Sequence, residues 1–154
     1  GITDVFSDHP AVECQRIPMK TVCIMSEGNT LGKKKFITPE DLINEPMIHS
    51  RRDSAFYRKL EEVFTLHKVK INSWIETRQF NSACMLVAEG RGISIVSEMD
   101  AREYESRGLI IKPFTPVIPH TLMLVRPKHT VLSTIALEFL DFFESSLQPF
   151  RLKS

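Results

Sequence analysis

Hydrophobic and polar positions along the chain follow periods that predict strands and helices in alternation. The stretch LVAEGRGISIVSE (residues 86–98) shows this most clearly, because an apolar helix ends in it, glycines turn the chain, and a buried strand with serines at Ser94 and Ser97 follows. Glycine suits the left-handed cap of a helix because it has no Cβ. A helix that turns through glycine into a strand is the αβ half of an α/β unit. This corner lacks the rest of a dinucleotide fingerprint, so it is predicted to turn the chain and not to cradle phosphate.

The same periodicity predicts a mixed sheet flanked by helices, and therefore an α/β fold. Strands are predicted at residues 19–27, 46–50, 70–77, 93–97, 109–114 and 120–127. Helices are predicted at residues 53–67, 80–89, 99–108 and 132–147, with a short helix opened by TPEDL. The last helix has a stripe of apolar residues on one face: Leu132, Ile135, Ala136, Phe139, Leu140, Phe143 and Leu147.

Composition narrows the function classes. The chain has 154 residues, is 42% hydrophobic and carries a formal net charge of +1, which fits one globular unit without the basic excess of a DNA-binding module. The one basic cluster, residues 33–35, is predicted to be a solvated loop. Cys14, Cys23 and Cys84 have no CxxC spacing, so no disulfide framework is expected and a reducing cytoplasmic location is favoured. The chain has no apolar run long enough to cross a bilayer and no leader pattern.

Catalytic and metal-binding patterns are absent from the sequence. The histidines at positions 9, 49, 67, 120 and 129 are scattered, and no Gly-x-Ser-x-Gly elbow occurs. No His, Cys or acidic residues share convincing ligand spacing, so we predict no catalytic residues, no metal and no cofactor. A small α/β enzyme with an unrecognised site stays open as the least favoured alternative.

Two strand-to-helix corners carry the candidate binding residues. HSRRDS (residues 49–54) and ETRQFNS (residues 76–82) both place polar side chains where a strand ends and a helix begins. Ligands of open α/β sheets bind outside the carboxyl ends of the strands, and free N–H groups at helix starts favour anions. Arginines there can pair with an anion bidentately. Plain helix capping with solvated arginines is the competing interpretation.

The ordered segments EPMIHSRRDSAFYRKLEEVF, ETRQFNSACMLVAEGRGISIVSEMDA and RGLIIKPFTPVIPHTLMLVRPKHTVLSTIALEFLDFF resemble the effector-binding domain of LysR-type transcriptional regulators. The resemblance is closest to the LysR branch and covers nearly the whole chain. It implies a type 2 periplasmic-binding-protein-like lobe, with an effector held in the cleft between two lobes. By position, the implied effector contacts are Ser50, Arg51, Arg52, Asp53, Ser54, Thr77, Arg78, Gln79, Phe80 and Asn81.

The resemblance also implies a domain plan. Residues 1–10 are expected to hold the end of a first-lobe strand and a crossover, residues 11–126 the second lobe, and residues 127–154 a helix that returns to the first lobe. The N-terminal DNA-binding domain and most of the first lobe are expected to be missing, so the chain is interpreted as N-terminally truncated. DNA would be bound only through that missing domain.

The sequence therefore predicts a non-enzymatic, effector-sensing domain of a cytoplasmic LysR-type transcription factor. The effector is expected to be small, anionic or zwitterionic, and amino-acid-like. With the first lobe missing, the stripe on the last helix is predicted to pack on a neighbouring chain, giving a homo-oligomer. The alternative is a periplasmic solute-binding protein of a transport system, which an upstream secretory leader would favour over an upstream helix-turn-helix.

Overall fold

A computed structural model describes residues 1–4 and 8–153; residues 5–7 and 154, which fall within the first and last predicted segments, lie outside the described residues. The described strands are β1 (Ile2–Thr3), β2 (Val12–Met19), β3 (Thr21–Ser26), β4 (Met47–Ser50), β5 (Ser73–Thr77), β6 (Ile93–Ser97), β7 (Leu109–Pro113) and β8 (His120–Pro127). The described α-helices are α1 (Ala55–Leu66), α2 (Phe80–Ala88), α3 (Glu98–Glu103) and α4 (Thr134–Leu147). The prediction of an α/β chain with a mixed sheet is confirmed.

The chain divides into two compact units, one formed by Gly1–Met19 with Thr121–Ser154 and the other by Lys20–His120. In the first unit the strand order is β1-β8-β2, and β1 runs antiparallel to β8 with Ile2 opposite Leu124. An ion pair joins Arg126 to Glu13 at 2.7 Å.

In the first unit, α4 exposes part of its apolar surface to solvent. Leu147 is buried, whereas Ile135 is 79% exposed, and Phe139 and Phe142 are also exposed. Leu132, Ala136, Leu140 and Phe143 are partly buried. The period of 3.6 residues predicts this helix, and the structure leaves two residues of its predicted apolar face, Ile135 and Phe139, exposed, together with Phe142 outside that face.

The second unit holds a five-stranded sheet in the order β5-β4-β6-β3-β7. β4 lies parallel to β5 and to β6, while β3 runs antiparallel to β6 and to β7. Side chains alternate between the two faces, so Cys23 and Met25 join the core under α1, and Val22 and Ile24 join the core under α2 and α3. The sheet is therefore covered by helices on both faces, as its apolar strands require.

The glycine corner of residues 90–92 turns the chain as predicted. Gly90 has φ +74° after the last turn of α2, and its N–H donates to the Val87 carbonyl at 2.9 Å. Gly92 has φ +149°, and a Cβ placed on it would lie 2.4 Å from the Pro46 carbonyl oxygen. Backbone passes backbone there, which leaves room only for glycine. The following strand, β6, is buried throughout.

Candidate functional site

The two polar corners lie side by side at the carboxyl edge of the second unit's sheet. β4 and β5 are parallel neighbours, and their final residues, Ser50 and Thr77, occupy paired register positions. The chain leaves these strands into α1 and α2 respectively, so two helix N-termini follow the same sheet edge. We refer to residues 50–54 as the first corner and to residues 77–81 as the second corner.

The first corner is largely satisfied by its own contacts. The Ser54 hydroxyl accepts the Tyr57 backbone N–H at 3.0 Å and thereby caps α1. The Ser54 and Ser50 hydroxyls lie 3.2 Å apart, within hydrogen-bond distance. Arg51 forms an ion pair with Asp53 inside the same loop. Helix capping, the competing interpretation of this corner, therefore accounts for Ser54.

Arg52 reaches from the first corner to β5. Its Nη2 donates to the Ser73 hydroxyl at 3.2 Å, and its Nε lies 3.9 Å from a Glu76 carboxylate oxygen. The guanidinium carbon also lies 5.9 Å from the centre of the Tyr57 ring, in the range of a cation–π contact. Burial raises the pKa of Tyr57, so this ring is a neutral phenol at neutral pH.

The second corner is open by comparison. Gln79 is the N-cap of α2 and makes no side-chain capping hydrogen bond within the described residues. The Thr77 hydroxyl donates to the Gln79 carbonyl at 3.3 Å and so does not cap the helix either. Arg78 is exposed and has no hydrogen-bond or ion-pair partner in the described part of the chain. An uncapped helix start beside an unpaired guanidinium is an arrangement that attracts an anion.

A cluster of aromatic rings joins the two corners. Phe56, in the first turn of α1, and Phe80, in the first turn of α2, pack edge to face with ring centres 5.2 Å apart. The His120 ring meets both, at 6.0 Å from Phe56 and 5.0 Å from Phe80. These contacts fix the two helix starts relative to each other, so the corners form one surface with an apolar part.

Sequence reasoning identified Phe80 but missed several residues that shape this edge. Phe56 lies within the predicted helix of residues 53–67 and His120 begins the predicted strand of residues 120–127, so the sequence marks neither as a site residue. His49, Tyr57, Ser73 and Glu76 contact the corner residues and were not predicted as site residues. Ser73 and Glu76 reach Arg52 from more than twenty residues away, so no local pattern indicates these two contacts. Asn81 lies at the exposed start of α2, as its position in the corner implies.

The described residues include no cluster of metal ligands, and two of the cysteines are buried. No group of three or more His, Cys, Asp or Glu side chains among them is arranged to hold a metal ion. Cys23 and Cys84 are buried and form no disulfide, and they pack as small core residues. Burial raises the pKa of Cys84 to about 12, which keeps this thiol protonated and a poor nucleophile. Among the helices described, none combines the length and apolarity that crossing a membrane requires.

Comparison with known proteins gives the family of this chain. The LysR substrate binding domain family matches residues 1–148, and the chain belongs to that family. The transcriptional activator protein LysR of Escherichia coli K12 is 30% identical over 148 residues, which are 96% of this chain and 48% of that protein. The chain thus spans about half the length of this curated relative.

Solved structures agree with the fold. The regulatory domain of CcmR from Synechocystis PCC6803, in complex with 2-PG, has a TM-score of 0.70 at 20% identity. The match covers 96% of this chain and 72% of the CcmR chain. The effector binding domain of QuiR in complex with shikimate has a TM-score of 0.69 at 18% identity. The match covers 92% of this chain and 68% of the QuiR chain. The resemblance to LysR-type regulators is confirmed, and the alternative of a transport solute-binding protein is not favoured.

Proposed function

We propose that this chain is the effector-sensing domain of a LysR-type DNA-binding transcription factor that responds to a small anionic or zwitterionic metabolite. The observation that carries the proposal is the pairing of Ser50 with Thr77 at the carboxyl ends of two parallel strands, each followed by a helix start. This is the edge at which open α/β sheets bind ligands. A cytoplasmic location is part of the proposal, because such a factor acts on DNA.

The proposed contacts differ in role along the edge. Arg78 and the free N–H groups at the start of α2 bind the effector's carboxylate, since both are available and both favour negative charge. The hydroxyls of Ser50 and Thr77 add hydrogen bonds, and the Phe80 ring packs on the effector's apolar part. The full proposed set is Ser50, Arg51, Arg52, Asp53, Ser54, Thr77, Arg78, Gln79, Phe80 and Asn81.

The proposed class of effector is based on the charged side chains at the sheet edge and on the ligands bound by related regulatory domains. Cationic side chains and a helix N-terminus at one edge select an anionic group, while the neighbouring carboxylates of Asp53 and Glu76 suit a ligand that also carries an ammonium group. CcmR and QuiR, which share the fold, were solved with 2-PG and shikimate respectively. These likenesses support a small-molecule effector, and the opposite charges at the edge are the reason that we propose an amino-acid-like one, held in the cleft between two lobes.

A titration of a form that carries the proposed DNA-binding region tests this function. The standard L-amino acids, shikimate and 2-PG are titrated, and binding is followed by calorimetry and by promoter release or activation. Charge-assisted hydrogen bonds contribute roughly 1.5–3 kcal/mol, so Arg78→Ala is expected to weaken binding about 10- to 100-fold. Thr77→Ala is expected to weaken it several-fold, with both variants folded as judged by circular dichroism. Unchanged response in both variants places the effector site elsewhere.

The oligomeric part of the proposal concerns α4. Its exposed apolar residues, Ile135, Phe139 and Phe142, would lower their free energy by packing on a neighbouring chain. Effector binding would then shift a cleft equilibrium that the oligomer relays to the DNA-binding domains. Sedimentation of this chain is expected to show a dimer or larger species that Phe142→Asp dissociates. A monomer at high protein concentration contradicts this part.

A further inference from the structure

His49 is a buried titratable side chain at the end of β4, immediately before the first corner. The residue is 2% exposed, and both of its ring nitrogens are within hydrogen-bond distance of a partner. Nδ1 lies 2.8 Å from the Ser50 carbonyl oxygen, and Nε2 lies 2.7 Å from the Ser73 hydroxyl. The effector contacts proposed above leave this residue without a role.

The partners of His49 determine where the protons lie. A carbonyl oxygen only accepts, so Nδ1 carries the proton and donates it to Ser50. The Ser73 hydroxyl accepts from Nη2 of Arg52 at 3.2 Å, and its own proton is then directed to Nε2. A neutral imidazole protonated on Nδ1 therefore gives every donor an acceptor and links Arg52, Ser73, His49 and Ser50 in series.

Packing keeps this chain of hydrogen bonds in place. The Tyr57 ring lies 4.7 Å from the His49 ring, centre to centre, and the same Tyr57 ring lies under the Arg52 guanidinium. Tyr57 is itself 3% exposed, so it is part of the core under α1. The hydrogen bonds of the buried His49 ring are costly to break, because its nitrogens would be left unsatisfied, whereas the Arg52–Ser73 contact lies at the exposed end of the series.

We propose that His49 is the positioning residue of the first corner. It fixes the Ser50 carbonyl at the point where the chain leaves β4, and through Ser73 it holds the Arg52 guanidinium against β5. The loop of residues 50–54 is thereby kept in one conformation before any ligand arrives, which lowers the entropic cost of binding there. The role of His49 in ligand binding rests on the proposed effector site, whereas its hydrogen bonds to Ser50 and Ser73 are present in the free protein.

The test measures the free protein, with variants that separate the two ring nitrogens. His49→Asn keeps an amide donor near the position of Nδ1 and loses the contact to Ser73. His49→Phe keeps the ring and loses both hydrogen bonds. Ser73→Ala removes the link to Arg52 at an exposed position, so the protein folds even if a change at the buried position 49 does not permit folding.

The readouts are the tautomer of His49 by nitrogen-15 NMR and amide hydrogen exchange across the first corner. We expect a neutral ring protonated on Nδ1. We expect the Ser54 N–H, which donates to the Arg51 carbonyl at 2.9 Å, to exchange about tenfold faster in Ser73→Ala and His49→Phe, a change that corresponds to about 1.4 kcal/mol, the upper range of one lost hydrogen bond. In His49→Asn it is expected to stay within about threefold of wild type, because the contact to the Ser50 carbonyl and the Arg52–Ser73 hydrogen bond both remain. The amide of Ile24 in β3, within the same unit, reports global stability.

Three results would overturn the proposal. One is a ring protonated on Nε2 or on both nitrogens. Another is corner exchange in Ser73→Ala equal to that of wild type. The third is exchange in His49→Phe that rises equally at Ser54 and Ile24, which means that His49 only fills the core. Failure of effector binding with the exchange pattern intact would instead overturn the proposed function alone.

Discussion

Both corners at the sheet edge begin with a hydroxyl residue followed by arginine, but they differ in how many of their polar groups have partners within the chain. In the first corner, Ser54 caps α1 and Arg52 is held by Ser73 and Glu76. In the second corner, α2 begins without a side-chain cap from Gln79, and Arg78 has no partner within the described residues. The difference means that contacts within the chain occupy the polar groups of the first corner, whereas the second corner leaves Arg78 and the start of α2 available for the proposed anion.

The largest expected effect is on ligand binding at the second corner. Gln79→Asp places a carboxylate where the effector's anion is proposed to bind, so affinity for the ligand selected by the titration should fall about tenfold or more. The same change should raise the free energy of unfolding by roughly 0.5–1 kcal/mol, because aspartate is a good N-cap. Calorimetry and urea denaturation measure the two effects.

Gln79→Ser is the matched control for that substitution, since it supplies a cap without a charge. It should stabilise the protein by a similar amount and weaken binding less than Gln79→Asp does. If both variants bind the effector as wild type does, the open helix start is not part of the site.

The next largest effect concerns stability at the first corner. Ser54→Ala removes the cap of α1 and should lower the free energy of unfolding by about 1 kcal/mol, as judged by urea denaturation. Arg51→Ala is the control: it removes an exposed ion pair in the same loop and should change stability by less than about 0.5 kcal/mol. Equal losses in the two variants would show that the corner is stabilised by charge and not by capping.

Local patterns predicted the second unit well. α1 begins after Ser54 and buries Phe56, Leu60 and Phe64. It is predictable because its N-cap and its apolar face are both visible within one short stretch of sequence. The glycine corner and β6 were equally predictable. These elements depend on contacts between residues close in sequence, or on a run of buried apolar residues, and both can be recognised in a single sequence.

One strand escaped prediction because its evidence lies elsewhere in the chain. β2 (Val12–Met19) contains Glu13, Gln15, Arg16 and Pro18, a composition that reads as a loop. It becomes a strand by lying next to β8, which follows about a hundred residues later, and by burying Ile17 and Met19. Long-range pairing of this kind leaves little trace in local periodicity.

The candidate site was predictable in position and not in its internal contacts. Polar residues after two strands located the corners, and the register of Ser50 with Thr77 brings them together. Arg52 has partners because it contacts Ser73 and Glu76 on β5. These contacts form only because β5 lies beside β4, which the sequence does not show. The effector role of the corner residues stays a prediction.

The position of Trp74 has a practical consequence for spectroscopy. It is the single tryptophan of the chain, it is 65% exposed, and it lies on β5 between Ser73 and the second corner. Because the indole is already largely solvated in the native state, its emission colour will change little on unfolding, and fluorescence denaturation curves will understate the transition. The same indole is the chain's own optical label beside the proposed binding edge, so quenching by a small solute can follow events there without attaching a dye.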